Sequence, residues 1–114
     1  MTETIAYKVL NAAEFVALET GHFTGAPVDR ADGYIHLSTA SQLTETVEKH
    51  FVGQKGLTIA AIDLKMLGDA IRWEVSRHGQ LFPHLYGELT MAAVIAHGPL
   101  EWQTDGAIRL PDIA

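Results

Sequence analysis

Residues 57–64, LTIAAIDL, constrain the fold of this chain more than any other stretch. The run is almost continuously apolar and rich in β-branched side chains, whereas a strand with one wet face alternates apolar and polar residues. It therefore reads as a central strand buried on both faces, and other elements must cover each side. At 114 residues the chain is long enough for one such core and too short for two, so residues 1–114 are expected to form a single domain.

The remaining segments supply the cover. TIAYKVL alternates, with Ile5, Tyr7 and Val9 on one face, and reads as a first strand. NAAEFVALETG opens on Asn11 with Glu14 three residues on, a capping-box pattern, and predicts a short helix burying Phe15, Val16 and Leu18. HFTGAPVDRADG reads as a loop from its Gly, Pro and Asp content. YIHLS is a short strand leading into a second helix, TASQLTETVEKHFVG, capped by Thr39 with Gln42 one turn inside. IRWEV is a strand, TMAAVIAHGPLEW a helical turn leading into another, and GAIRL is expected to close the sheet. The tally is two helices and about six short strands, an α+β domain rather than a βαβ repeat.

Composition narrows the partners. The apolar fraction is 47% and the charged fraction 19%, the balance of a folded globular chain. The net charge is −6, and the four lysines and four arginines are scattered. Duplex nucleic acid rewards a concentrated basic patch, so it is not an expected partner. No apolar run reaches the roughly 18 residues of a membrane span, and the amino terminus lacks the basic-then-apolar pattern of a secretory signal. With no cysteine there is neither a disulfide framework nor a thiolate metal site. A cytoplasmic location is the expectation.

Three segments carry chemistry. In GYIHLSTASQ, His36 ends a strand just before a hydroxyl-rich helix start that offers Ser38, Thr39, Ser41 and Gln42, groups suited to a polar or anionic ligand. The competing structural reading has Ser38 and Thr39 capping the helix while His36 bonds a backbone carbonyl. In RWEV, alternation puts Arg72 and Glu74 on one face and Trp73 on the other, in the core. That pair is either a solvated surface pair or the floor of a cleft, with Arg72 holding an anion and Glu74 accepting from hydroxyls. FPHLYG has no regular pattern, and Pro83 and Gly87 suggest a rigid loop presenting His84 and Tyr86. Its structural alternative is a packed corner, which explains the aromatics better than His84. His36, His84 and Glu74 have the composition of a two-histidine, one-carboxylate metal set, but no HxH, HxxxH or HExxH spacing occurs, so no metal is expected. Ser38 lacks the GxSxG turn of a hydrolase nucleophile.

Taken together, DGYIHLSTASQL, IRWE and FPHLYGEL resemble the small bacterial proteins grouped as domain of unknown function 952, over nearly the full chain. The family motifs read EGFIHLS and FPHIYGPL. Here Asp32 stands for the acid, Tyr34 for the phenylalanine, and Glu88 for a proline. The resemblance implies an ADP-ribosyltransferase-like fold, a mixed sheet split around a cleft that holds NAD in the known enzymes. By analogy His36 would contact the nucleotide, Tyr86 stack on nicotinamide and Glu74 bond the ribose.

The expectation is thus a small-molecule site. Glu74, His36 and His84 would be the catalytic groups, with Ser38, Gln42, Arg72 and Tyr86 binding ligand, and NAD is the candidate cofactor. ADP-ribosyl or phosphoryl transfer is one reading, and a non-catalytic sensor or interaction module on the same fold is the other. Either way, His36, Glu74, His84 and Tyr86 should converge on one concave pocket.

Overall fold

The computed structural model describes residues 3–112. Strand β1 (Ile5–Leu10) pairs antiparallel with β3 (Thr58–Asp63), whose other edge carries β6 (Val94–Pro99). The order β1-β3-β6 makes β3 central, as its composition predicts. Ile59, Ala60, Ala61 and Ile62 are all fully buried, but alternate residues enter different cores. Ala60 and Ile62 join Ala6, Leu10 and Leu18 on one face, while Ile59 and Ala61 join Tyr7, Val9, Leu43 and Val47 on the other. Burying a single isoleucine in this way is worth about 1.5–3 kcal/mol.

The helices that cover these faces are α1 (Ala12–Glu19) and α3 (Ala40–His50). Asn11 Oδ1 accepts the Glu14 N–H at 2.8 Å and Asn11 N–H donates to Glu14 Oε1 at 2.9 Å, so the predicted capping box of α1 forms. Of the apolar side chains expected beneath α1, Leu18 is buried and Phe15 packs against the core, but Val16 is 57% exposed. At the start of α3 the Gln42 side-chain Oε1 accepts the Thr39 N–H at 3.0 Å.

A second sheet, ordered β2-β5-β4, is built from β2 (Ile35–His36), β5 (Leu81–Leu85) and β4 (Ile71–Val75). This corrects four expectations. The FPHLYG segment is not a loop, since its first four residues, Phe82 to Leu85, belong to the central strand β5. A proline is unusual there because it cannot donate to a ladder. Pro83 is tolerated because β2 ends at His36, and beyond it Leu37 asks only for an acceptor, donating to Pro83 O at 3.1 Å. GAIRL, conversely, makes only an isolated Trp102–Ile108 bridge closing a turn at Gly106, not a strand of either sheet. Among the described residues every strand pairing is antiparallel, so neither sheet is mixed. There are four α-helices among the described residues rather than two, adding α2 (Pro27–Asp32) and the single turn α4 (Leu64–Leu67). Helix α2 lies inside the predicted loop. Pro27 at its first position, Asp29 accepting the Ala26 N–H at 2.8 Å, and left-handed Gly33 (φ 87°) at its end explain why it forms.

The sheets touch where β1 meets the chain just past β2. Tyr7 and Ser38 exchange backbone hydrogen bonds of 2.7 and 3.0 Å, and no strand ladder joins the two sheets elsewhere among the described residues. The result is an α+β domain whose sheet is split, with the split beside His36.

Candidate functional site

Register brings the site together. Arg72 on β4 stands opposite His84 on β5, which stands opposite His36 on β2. Because successive side chains leave a strand on opposite faces, Ile35, Ile71, Trp73 and Leu85 turn into the core. Arg72, Glu74, His36 and His84 share the other face, as expected for Arg72 and Glu74, with Trp73 turned to the core. Tyr34 and Tyr86 continue it, two residues from His36 and His84 respectively.

The side chains on this face touch. The imidazole centroids of His36 and His84 lie 5.5 Å apart. Tyr34 stacks on His84 at 4.1 Å and approaches His36 at 4.7 Å and Tyr86 at 5.1 Å. The Arg72 guanidinium sits 4.5 Å above the Tyr86 ring, a cation–π contact. Glu74 Oε1 accepts from both His84 Nδ1 and the Tyr86 hydroxyl, each at 2.8 Å. These two donors hold the Glu74 carboxyl below its ordinary range, and the same bond pushes the Tyr86 phenol up. Burial, then the charges of Asp32 and Glu74, raise the Tyr34 phenol. His84 is 3% exposed. Its Nε2 has no hydrogen bond to a described residue, and no buried side-chain polar atom among them is unpaired. The Nε2 edge of His84 is therefore not fully sealed from solvent. With Nδ1 donating to a carboxylate, Nε2 is the basic nitrogen of the neutral ring.

Sequence reasoning missed the other half of the cluster. Asp29, on α2, is almost fully buried and fills the split between the sheets. Its Oδ1 accepts from His36 Nδ1 at 2.7 Å, from the His36 N–H at 3.0 Å and from Lys8 Nζ at 3.1 Å. Lys8, buried on β1, also donates to His36 O at 3.0 Å. The edge of β2 that faces β1 is thus paired with an ion pair instead of a strand. Burial alone would raise the Asp29 carboxyl, but the His36 side chain, the Lys8 charge and the His36 N–H hold it well below the usual carboxylate range. On the solvent side, His36 Nε2 meets Asp32 Oδ2 at 2.9 Å. Only a doubly protonated imidazole donates to both carboxylates at once. A signal that could have found Asp29 is PVD before DG, a Pro and an Asp at helix-start positions; nothing local points to Lys8.

Ser38 and Gln42 are not brought to the cluster. The Ser38 hydroxyl bonds Thr46 Oγ1 at 2.9 Å, and Gln42 Nε2 donates to Leu81 O at 2.8 Å, bolting α3 to β5. No group of three or more histidines and carboxylates among the described residues is arranged to hold a metal ion. A concavity lies next to the cluster rather than over it. It has a volume of about 310 Å³ and shares Tyr34 and Asp29 with the cluster, whereas His36, Glu74, His84 and Tyr86 are not among its walls. The expectation that these four line one pocket is corrected to a shallow polar face beside a pocket, because Tyr34 packs over the imidazoles and fills the space above them.

No helix among the described residues is long and apolar enough to cross a membrane. No functionally curated protein matches the chain. The crystal structure of protein CC0527 from Caulobacter crescentus is similar at a TM-score of 0.84 and 42% identity, covering 94% of this chain and 95% of that one. The solution NMR structure of CC0527 gives a TM-score of 0.77 at 41% identity, over 95% of this chain and 94% of that one. Residues 9–97, which contain the whole polar face, match the family model described as "Protein of unknown function (DUF952)", and the chain belongs to that family.

Proposed function

We propose that the polar face binds a ribosyl phosphate of the NAD or ADP-ribose kind, with Glu74 acting on the sugar. The observation that carries this reading is the state of Glu74. Its Oε1 is clamped by His84 and Tyr86 while the side chain keeps 39% exposure, which leaves Oε2 open to a sugar hydroxyl. A fixed, ionised carboxylate also stabilises the positive charge that develops at the anomeric carbon as a glycosidic bond breaks and the base leaves with the electron pair. Arg72 supplies charge for phosphate, His36 orients the nucleotide, and His84 Nε2 is a proton acceptor. A sheet split around a gap supports the reading too, since it likens the fold to that of the ADP-ribosyltransferases; such an analogy has weight only beside the site itself. These nucleotides are found in the cytoplasm, and a chain without cysteine accords with that compartment.

A non-catalytic sensor is the second reading. It is favoured by the closure of the network, in which both His36 ring nitrogens already face carboxylates. Calorimetric and NMR titration with NAD, ADP-ribose and 2′-phosphate-bearing ribonucleotides tests both. Saturable binding is expected, and no binding up to millimolar ligand rejects the enzyme reading. If the bound ligand is consumed and Glu74→Gln abolishes turnover while retaining affinity, the enzyme reading stands. If the ligand is recovered unchanged after prolonged incubation, the sensor reading replaces it.

A further inference from the structure

We infer that the pocket beside the polar face seats a heteroaromatic base bearing an exocyclic amino or amide group, so that the sugar phosphate and the base occupy adjoining sites. The inference rests on the proposed function for the sugar-phosphate half only. A pocket of about 310 Å³ is at the small end of ligand sites, which run from ~300 to ~1,000 Å³. It suits a single ring system and not a whole dinucleotide. Phe23, Ile35 and Leu85, 8%, 6% and 1% exposed, belong to the core and give it a rigid apolar floor. Tyr34 is common to both sites, lining the pocket and stacking at 4.1 Å on His84. A base in the pocket would therefore lie next to the ring that covers the imidazoles. Gly33 and Gly87 present no side chain into the pocket walls.

The polar groups at the rim choose the class of base. Glu88 and Arg30 are both exposed and line the pocket. Neither takes part in an ion pair among the described residues. The Arg30 guanidinium donates to Gly25 O and retains other N–H donors. A carboxylate at the rim accepts from an amino or amide N–H, while a guanidinium donates to a carbonyl or ring nitrogen. Asp29, on the inner wall, has its oxygens taken by Lys8, His36 and Ala26 and is not free to bond the ligand.

The test uses adenosine and nicotinamide as base probes and ribose 5-phosphate as the sugar-phosphate probe, on the full chain. Either base probe at millimolar concentration is expected to shift the backbone amides of Phe23, Ile35, Leu85 and Gly87 in NMR spectra. ADP-ribose is expected to bind about tenfold or more tighter than ribose 5-phosphate, the scale that stacking one base provides. Thr24→Trp, at an exposed position on the pocket wall, fills the pocket without touching the core. It should abolish the base shifts and the tenfold gain while leaving ribose 5-phosphate affinity unchanged, and Glu88→Gln should weaken the base probes selectively. Absence of base shifts, or base shifts that survive Thr24→Trp, overturns the inference. Binding of adenosine in the pocket without any binding of ribose 5-phosphate upholds the inference and rejects the proposed function instead.

Discussion

Two carboxylate–imidazole pairs face each other across β2 and β5, and they are built the opposite way round. In one, the acid is buried and the base half-exposed: Asp29 is 2% exposed at the side chain and His36 30%, at 2.7 Å. In the other, the base is buried and the acid half-exposed: His84 is 3% exposed and Glu74 39%, at 2.8 Å. The difference separates two jobs. A carboxylate sealed in with Lys8 holds strands in place, since its hydrogen-bonding capacity is used up inside the protein. A carboxylate open to water, and anchored from behind by a buried ring, is available to something that arrives from solvent.

The largest expected effect tests the sealed pair. Asp29→Ala strands the Lys8 ammonium in the split, and removing one partner of a buried pair costs about 3–5 kcal/mol. Urea denaturation should show a loss of that size, whereas Glu74→Gln should leave the midpoint close to the parent's. Equal losses from the two would erase the contrast. Replacing both members of the buried pair, Lys8→Met with Asp29→Leu, should recover only the part of the loss owed to the unpaired Lys8 charge, because the double change still strands the His36 N–H and carbonyl and the Ala26 N–H that the pair satisfies.

Acid should act on the same contrast. The Asp29 carboxyl is depressed in the folded state, so its contribution is fully present above its unfolded value of about 3.9 and is lost as pH falls below it. Urea midpoints followed from neutral to acid pH should fall more steeply for the parent than for Asp29→Asn. Parallel curves would mean that Asp29 is not held as described.

Smaller effects lie on the open side. Tyr34→Ala removes the ring stacked on His84, a contact worth about 0.5–1.5 kcal/mol beyond its buried area. It should speed the modification of His84 by diethylpyrocarbonate, detected by mass spectrometry; an unchanged rate would show that Tyr34 is no cover. The mildest change is Tyr86→Phe, which removes one of two donors to Glu74. By NMR titration the Glu74 carboxyl should move up towards its ordinary value, with the fold intact, and no movement would place its depression elsewhere.

What the residue pattern records is which way each segment faces. The unbroken apolar run at 57–64 determines that β3 is buried on both sides, the Asn11–Glu14 box starts α1, and alternation alone sets Arg72 and Glu74 on one face with Trp73 on the other. Such features depend on contacts within a few residues, or on the apolar or polar character of a face, and both are written locally. Pattern does not record which strand lies beside which. Pro83 argues against a central strand, and it is one only because its neighbour β2 stops where the missing N–H would have been needed. Helix α2 was hidden by its loop-like composition. The pairing of Asp29 with Lys8, 21 positions apart, arises only where two sheets diverge and leave a strand edge to be satisfied. A buried charge is stable only where the fold supplies its partner, so the sealed half of the site became visible in the tertiary structure, while much of the open half, from His36 to Tyr86, was already readable in the chain.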